Sequence, residues 1–236
     1  MNIAVIPARG GSKRIPRKNL KSFCGKPMLN YAIEAAISSE LFDRVIVSTD
    51  DNEITALARE SGAEVPFRRS AKLSNDHAGT LPVIQDAIQR LEEDGSSIEM
   101  VSCIYPTVPL LSGKTLRRAG KDFLSNSGGF LIAATAFDYP VQRGFFFSKD
   151  AGLQMLFPEE YQTRSQDLKP VFHDAGQFYF AANNTWINSS RMYTENSRLF
   201  LLPKDKVCDI DTMEDWEWAE LLYQKTNADN SITNKS

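Results

Sequence analysis

The 236-residue chain is poor in the residues that support several classes of function. It holds 3 cysteines, Cys24, Cys103 and Cys208, odd in number and widely spaced. That excludes a disulfide framework and any zinc-ligand spacing, and it fits reduced thiols in an expected cytoplasmic location. Only 2 histidines are present, His77 and His173. His173 and Asp174 are chain neighbours, and adjacent strand residues face opposite sides, so the pair is no fragment of a triad. With no Ser-His-Asp or Cys-His site visible, covalent catalysis is not expected. No apolar run approaches membrane-spanning length, and the opening Met1-Asn2-Ile3-Ala4 has no charged lead into an apolar stretch. Neither a membrane partner nor a signal peptide is expected. The net charge of −3 argues against general nucleic-acid affinity.

Two common nucleotide motifs are also missing. Gly113-Lys114-Thr115 ends like a P-loop, but Val108 stands where its first glycine must be. Gly10-Gly11 is followed by Ser12, Lys13 and Arg14, with no third glycine to complete G-x-G-x-x-G.

What is present is an alternating chain, 42% hydrophobic, large enough for one sizeable core. Ile3–Ile6, Val45–Thr49, Met100–Tyr105, Phe130–Ala136, Gln177–Ala181 and Leu199–Leu202 read as strands. Between the earlier ones run helical spacings, such as Leu29, Ala32, Ile33 and Ala36, then Leu81, Ile84, Ala87, Ile88 and Leu91. Asp50 or Asp51 can cap one helix and Ser112 another, and Met213 to Lys225 reads as a closing helix. The alternation predicts a Rossmann-like α/β fold, a mostly parallel sheet with helices on both faces. Residues 140–172 break the pattern with aromatics and turn residues, and their apolar content predicts an excursion buried against a partner. Residues 227–236 read as a polar, disordered tail.

The most informative segment is Ile6-Pro7-Ala8-Arg9-Gly10-Gly11-Ser12-Lys13-Arg14-Ile15-Pro16-Arg17-Lys18-Asn19. A buried strand empties into two turn glycines, and the loop around them carries Arg9, Lys13, Arg14, Arg17 and Lys18. Backbone N–H groups and cations at the end of a first strand suit phosphate. A second feature is Asp209-Ile210-Asp211-Thr212, whose carboxylates at i and i+2 project to one side of an extended segment. That geometry suits a divalent cation, but a helix cap at Asp211-Thr212 is the alternative.

The first segment matches every defined position of I-P-A-R-x-G-S-K-x-x-x-x-K-N, and so resembles nucleotidyltransferases that activate acidic sugars with CTP. This is the acylneuraminate (CMP-sialic acid) cytidylyltransferase family. The likeness runs to about Lys225. Phe23-Cys24-Gly25-Lys26-Pro27-Met28 and His173-Asp174-Ala175-Gly176-Gln177-Phe178-Tyr179 look most like the pseudaminic acid members.

The resemblance implies one nucleotidyltransferase domain over 1–226 and a homodimer, with the lobe at about 140–172 making the dimer. It implies transfer of CMP from CTP to the anomeric hydroxyl of an acidic nine-carbon sugar, with release of pyrophosphate. CTP would contact Ala8, Arg9, Gly11, Ser12, Lys13, Lys18 and Asn19. Arg69, Asn75 and Asp76 would lie by the cytosine, within a segment resembling R-P-x-x-L-A-x-D in which Ser70 replaces proline. Asp209 and Asp211 match the family's D-I-D-T and would hold Mg²⁺, with Asp211 able to cap the helix as well. Arg9, Lys18, Asp209 and Asp211 would be catalytic.

Tyr105, Arg164, Gly176 and Gln177 are the candidates for the sugar. An arginine fork at Arg164 matches a carboxylate bidentately. Sialate enzymes carry Q-P-T-S-P-L-R and R-P-N-G where this chain has Tyr105-Pro106-Thr107-Val108-Pro109-Leu110-Leu111 and His173-Asp174-Ala175-Gly176. Losing that Gln and Arg favours a 6-deoxy, diacylamino sugar such as pseudaminic acid. Tyr105 and Phe178 either meet its methyl groups or are ordinary core aromatics.

Overall fold

The computed structural model describes residues 1–126 and 128–233. In chain order, β1 (Asn2–Pro7) leads through the glycine-containing loop to a small hairpin of β2 (Ser22–Phe23) and β3 (Lys26–Pro27). Then come α1 (Met28–Ser38), β4 (Arg44–Ser48), α2 (Asn52–Glu60), α3 (Thr80–Glu93), β5 (Met100–Ile104), α4 (Gly113–Ser125) and β6 (Leu131–Ala136). A second hairpin, β7 (Phe145–Ser148) and β8 (Gly152–Met155), follows. The chain closes with β9 (Phe172–Ala182), α5 (Asn183–Asn188), β10 (Arg198–Leu201) and α6 (Met213–Thr233).

One six-stranded sheet has the order β10-β6-β9-β5-β1-β4. β1 pairs in parallel with β4 and β5, and β10 in parallel with β6. β9 is antiparallel to both neighbours. Its direction follows from the excursion: Ala136 at the end of β6 pairs with Phe172 at the start of β9, so the chain returns beside the strand it left. An antiparallel return needs no crossover helix. The lobe predicted over 140–172 is the span between these two strands.

Both sheet faces are covered, as predicted. Along β1, Ala4 and Ile6 join one buried cluster with residues of α1, α2 and α4, while Ile3 and Val5 join another with α3 and α5. Successive strand residues face opposite ways, so an uninterrupted apolar strand serves a two-sided core. A third cluster is smaller. Ile15 of the basic loop, Phe23, Met28, Tyr31, Ile210, Trp216 and Ala219 pack together. Phe23 meets Tyr31 and Trp216 edge-on, with ring centroids 5.5 and 5.3 Å apart. This cluster fastens the N-terminal loop to the segment before α6.

Two expectations need correction. The closing helix does not stop at Lys225 but runs to Thr233. The polar stretch from Asn227 holds neither glycine nor proline, and extending an existing helix costs far less than starting one. Residues 234–236, the rest of the expected tail, lie outside the described residues. The strand expected over Gln177–Ala181 begins earlier, at Phe172, and its register on β6 shifts between Ile132 and Ala134. Gly176, with φ +60°, lies in that irregular stretch.

Candidate active site

β1 runs to β4 on one side, and the chain later comes back to β5 on the other side of β1. Ligands bind at such a reversal, outside the carboxyl ends of the strands. A cleft of about 320 Å³ opens there. After β1 it is lined by Arg9, Ser12, Lys18 and Asn19; after β5 by Tyr105, Pro106 and Thr107. Arg69, Asn75, Asp76 and Thr80 complete the wall.

The glycines of the loop have different tasks. A Cβ on Gly10 would lie 2.5 Å from Asp51 Oδ2, and the Gly10 N–H donates to Asp50 Oδ1 at 3.0 Å. Gly10 is therefore required by the fold. A Cβ on Gly11 would meet nothing within 4 Å, so its bareness leaves space on the loop's open side. Asp51 caps α2, accepting from Glu53 N and Ile54 N, as the sequence suggested. It also pairs with Arg17 at 2.6 Å, and this bond holds the Asp51 carboxyl below its usual range.

Asp76 accepts from Arg9 at 2.6 Å and pairs with Lys13 at 2.5 Å. Those two bonds, Lys13 first, hold the Asp76 carboxyl low. The aspartate expected beside the base thus anchors two cations of the basic loop. Arg69 is buried, with its Nε donating to Ser74 Oγ at 3.1 Å and its other end 4.0 Å from Asp50. Asn19 is buried too. Its Nδ2 donates to the Arg9 carbonyl at 3.0 Å, while its buried Oδ1 has no hydrogen-bond partner. A buried acceptor left unmade is costly, and at the cleft wall it marks a place for a ligand donor.

The loop meets the aspartate pair directly. Lys18 Nζ donates to the Ile210 carbonyl at 2.5 Å and lies 3.6 Å from Asp211 Oδ1, where Arg14 also approaches to 2.7 Å. Burial lowers the Lys18 ammonium's affinity for its proton, against the pull of Asp211 and Asp209. Ile210 is fully buried, so Asp209 and Asp211 leave the segment on its opposite side. Desolvation, then the neighbouring Asp211 charge, raises the Asp209 carboxyl above its usual range. A desolvated carboxylate beside a second one is suited to a cation. Among the described residues no set of three or more His, Cys, Asp or Glu side chains converges. Any Mg²⁺ held here would complete its shell with phosphate oxygens and water.

The cap alternative for Asp211 is overturned. Thr212 Oγ1 accepts from Asp215 N at 3.2 Å, and Asp215 Oδ2 accepts from Thr212 N at 2.7 Å and Asp211 N at 3.0 Å. This reciprocal capping box leaves the Asp211 side chain free of the helix. Thr212-x-x-Asp215 is visible in the sequence and could have indicated it.

Other expected residues are not brought to the cleft. Ala8 is buried in the core, and its N–H goes to the Ser48 carbonyl at 2.9 Å. Gln177 is buried and spends its amide on the Lys206 carbonyl at 2.5 Å, beside a separate cavity of about 480 Å³. Arg164 lies on the lobe, 74% exposed, paired with Asp167 at 2.9 Å. Phe178 is an ordinary core aromatic. Gly176 is better placed: a Cβ there would sit 3.9 Å from Asp209 Cγ. Tyr105 does line the cleft, its hydroxyl 2.7 Å from Thr80 Oγ1. Thr80 carries no charge or motif that sequence reading could use, and Pro106 and Thr107 are read only as part of the segment after β5 and given no role.

Comparison with known proteins places the chain in a family. The family model described as Cytidylyltransferase matches residues 3–220. The chain is 44% identical over 223 residues to a pseudaminic acid cytidylyltransferase of Campylobacter jejuni, spanning 94% of this chain and 96% of that one. It is 29% identical over 229 residues to a CMP-N,N'-diacetyllegionaminic acid synthase of Legionella pneumophila, again spanning 94% and 96%. Among solved structures, a CMP:2-keto-3-deoxy-manno-octonic acid synthetase complexed with CTP superposes with a TM-score of 0.71, covering 95% of this chain and 99% of that one. At 17% identity that likeness speaks for the fold alone.

Proposed function

This chain belongs to the cytidylyltransferase family, and from that premise we propose that it joins CMP to a nonulosonic acid, pseudaminic acid first, with release of pyrophosphate. The observation that carries the reading is the meeting of Lys18 with Asp211, 3.6 Å apart. It puts the cationic loop and the carboxylate pair at one centre, with the cleft alongside. The 44% identity to a pseudaminic acid cytidylyltransferase over nearly both whole chains supports the choice of sugar.

CTP lies along the cleft with its phosphates over Gly11, Ser12 and Lys13. Arg9 and Lys18 neutralise the charge that develops there, and Asn19 receives a ligand donor on its unpaired Oδ1. Arg69, Asn75 and Asp76 bound the base. Asp209 and Asp211 are the residues to hold Mg²⁺, which when bound supplies charge neutralisation at the reacting phosphate. The sugar's anomeric hydroxyl attacks the α-phosphorus from the side of Tyr105 and Gly176; the new O–P bond replaces the bond to pyrophosphate, which leaves, and the hydroxyl proton passes to solvent. Fixed donors and cations at the developing charge do most of such catalysis.

The protein acts as a homodimer through the lobe. Phe145, Phe146 and Phe147 on β7 are 58%, 64% and 75% exposed, an apolar surface suited to a second copy of the same hairpin. Arg164 sits on this lobe, so its part in sugar binding is to reach the neighbouring protomer's site.

Pyrophosphate release tests the reaction, with CTP, Mg²⁺ and a panel of pseudaminic, legionaminic, sialic and Kdo acids. Release with pseudaminic acid alone supports reaction and sugar together. Release only with another acid keeps the reaction and overturns the sugar. CTP binding without release from any acid removes the catalytic reading.

A further inference from the structure

Asp174 on β9 has no role so far, yet its carboxylate is fully engaged. Oδ1 accepts from Gly176 N at 2.8 Å. Oδ2 accepts the Tyr179 hydroxyl at 2.5 Å and the Tyr193 hydroxyl as well. Bonds to an ionised acceptor are the strong kind.

Each partner leads to a different wall of the site. Gly176 is the left-handed residue that faces Asp209. Tyr179 meets Tyr105 edge-on at 5.6 Å, and Tyr105 shares its hydroxyl with Thr80, both lining the cleft. Asp174 itself, with Thr135, His173 and Lys204, lines a cavity of about 230 Å³ that reaches Asp209. One carboxylate therefore joins the nucleotide cleft to the space beside the aspartate pair. Being acceptor-only, it also dictates that Tyr179 and Tyr193 donate toward it.

We propose that Asp174 is a positioning residue for the sugar, holding the Gly176 backbone and the Tyr179–Tyr105 wall in the arrangement that receives the acid beside Asp209. The assignment rests on the cytidylyltransferase reading above. It separates the sugar side of the site from the CTP side. The hydrogen bonds of Asp174 go to Gly176, Tyr179 and Tyr193 and none to Arg9, Lys13, Lys18, Asn19 or Arg69, so disturbing it is expected to act on the sugar before CTP.

Asp174→Asn keeps the size but replaces one acceptor oxygen with a donor amide. The expected result is a KM for the sugar raised about tenfold or more, with CTP affinity by calorimetry unchanged within about twofold. Tyr193→Phe removes one donor at a residue that is 57% exposed. It should shift the sugar KM in the same direction with an unaltered melting temperature, and it decides the matter if Asp174→Asn fails to fold. A purely structural role would weaken CTP and sugar together. That result, or an unchanged sugar KM in Tyr193→Phe, overturns the proposal. Failure of the unmutated protein to release pyrophosphate with any acid overturns the functional reading, and this assignment with it.

Discussion

Lys18 donates to the carbonyl of Ile210 at 2.5 Å, a contact across 192 positions of sequence. The bond sits directly over the small cluster in which Ile15 and Ile210 are both buried. The basic loop and the acidic segment are thus held by apolar packing beneath and by a charged contact above. Fixing both segments this way places cation and carboxylates before any ligand arrives, which is what electrostatic catalysis requires.

The two loop glycines should separate fold from function. Gly10→Ala drives a methyl against Asp51 and is expected to lower the melting temperature. Gly11→Ala should leave the melting temperature unchanged and raise the KM for CTP, because the only space it fills is where phosphate would lie. Thermal melts and steady-state kinetics on both variants check this.

Asp209 should trade stability for activity. Its carboxyl is raised by desolvation and by Asp211. For an acid shifted upward on folding, the favourable contribution is present below the unfolded-state value, about 3.9 for aspartate, and is lost as pH rises through the folded one. Asp209→Asn is therefore expected to melt higher than the unmutated protein at neutral pH in chelator. The difference should vanish at a pH of about 3, where both forms are uncharged. Pyrophosphate release should be lost. Equal melting temperatures at neutral pH would show that Asp209 carries no such strain.

Thr212→Ala removes the cap of α6. The expected cost is about 1 kcal/mol of stability, read from urea unfolding. Activity should fall as well, since Asp211 N is held by the same Asp215 carboxylate. A loss of stability with full activity would mean that the cap does not position Asp211.

Phe147→Glu on the exposed hairpin is expected to convert a dimer to a monomer in light scattering while leaving the fold intact. If the unmutated protein is itself monomeric, the dimer proposal falls.

Much of the fold was legible because its signals are local. Periodicity in α1 and α3 and the apolar run Ile3–Ile6 of β1 each record their own burial. Asp51 and Ser112 cap the helices that directly follow them. The basic loop was legible for the same reason: strand, glycines and cations occupy one short stretch. The ends of α6 and β9 were not, since a polar stretch carries no stop signal of its own and a strand's length depends on its partner's register.

At the site itself, sequence determined which residue types stand close together along the chain: the loop cations and the paired aspartates. Tertiary structure decided which of them meet. It buried Ala8 and spent the Gln177 amide on a backbone carbonyl. It freed Asp211 by giving the cap to Thr212, with Asp215 reciprocating, and it drew Asp174, Tyr179 and Tyr193 into one hydrogen-bonded group. The reason is physical. Residue type sets charge and hydrogen-bonding capacity, but a buried polar group must find a partner wherever packing puts it. That partner is chosen by strand register and helix docking, which no stretch of neighbouring residues encodes.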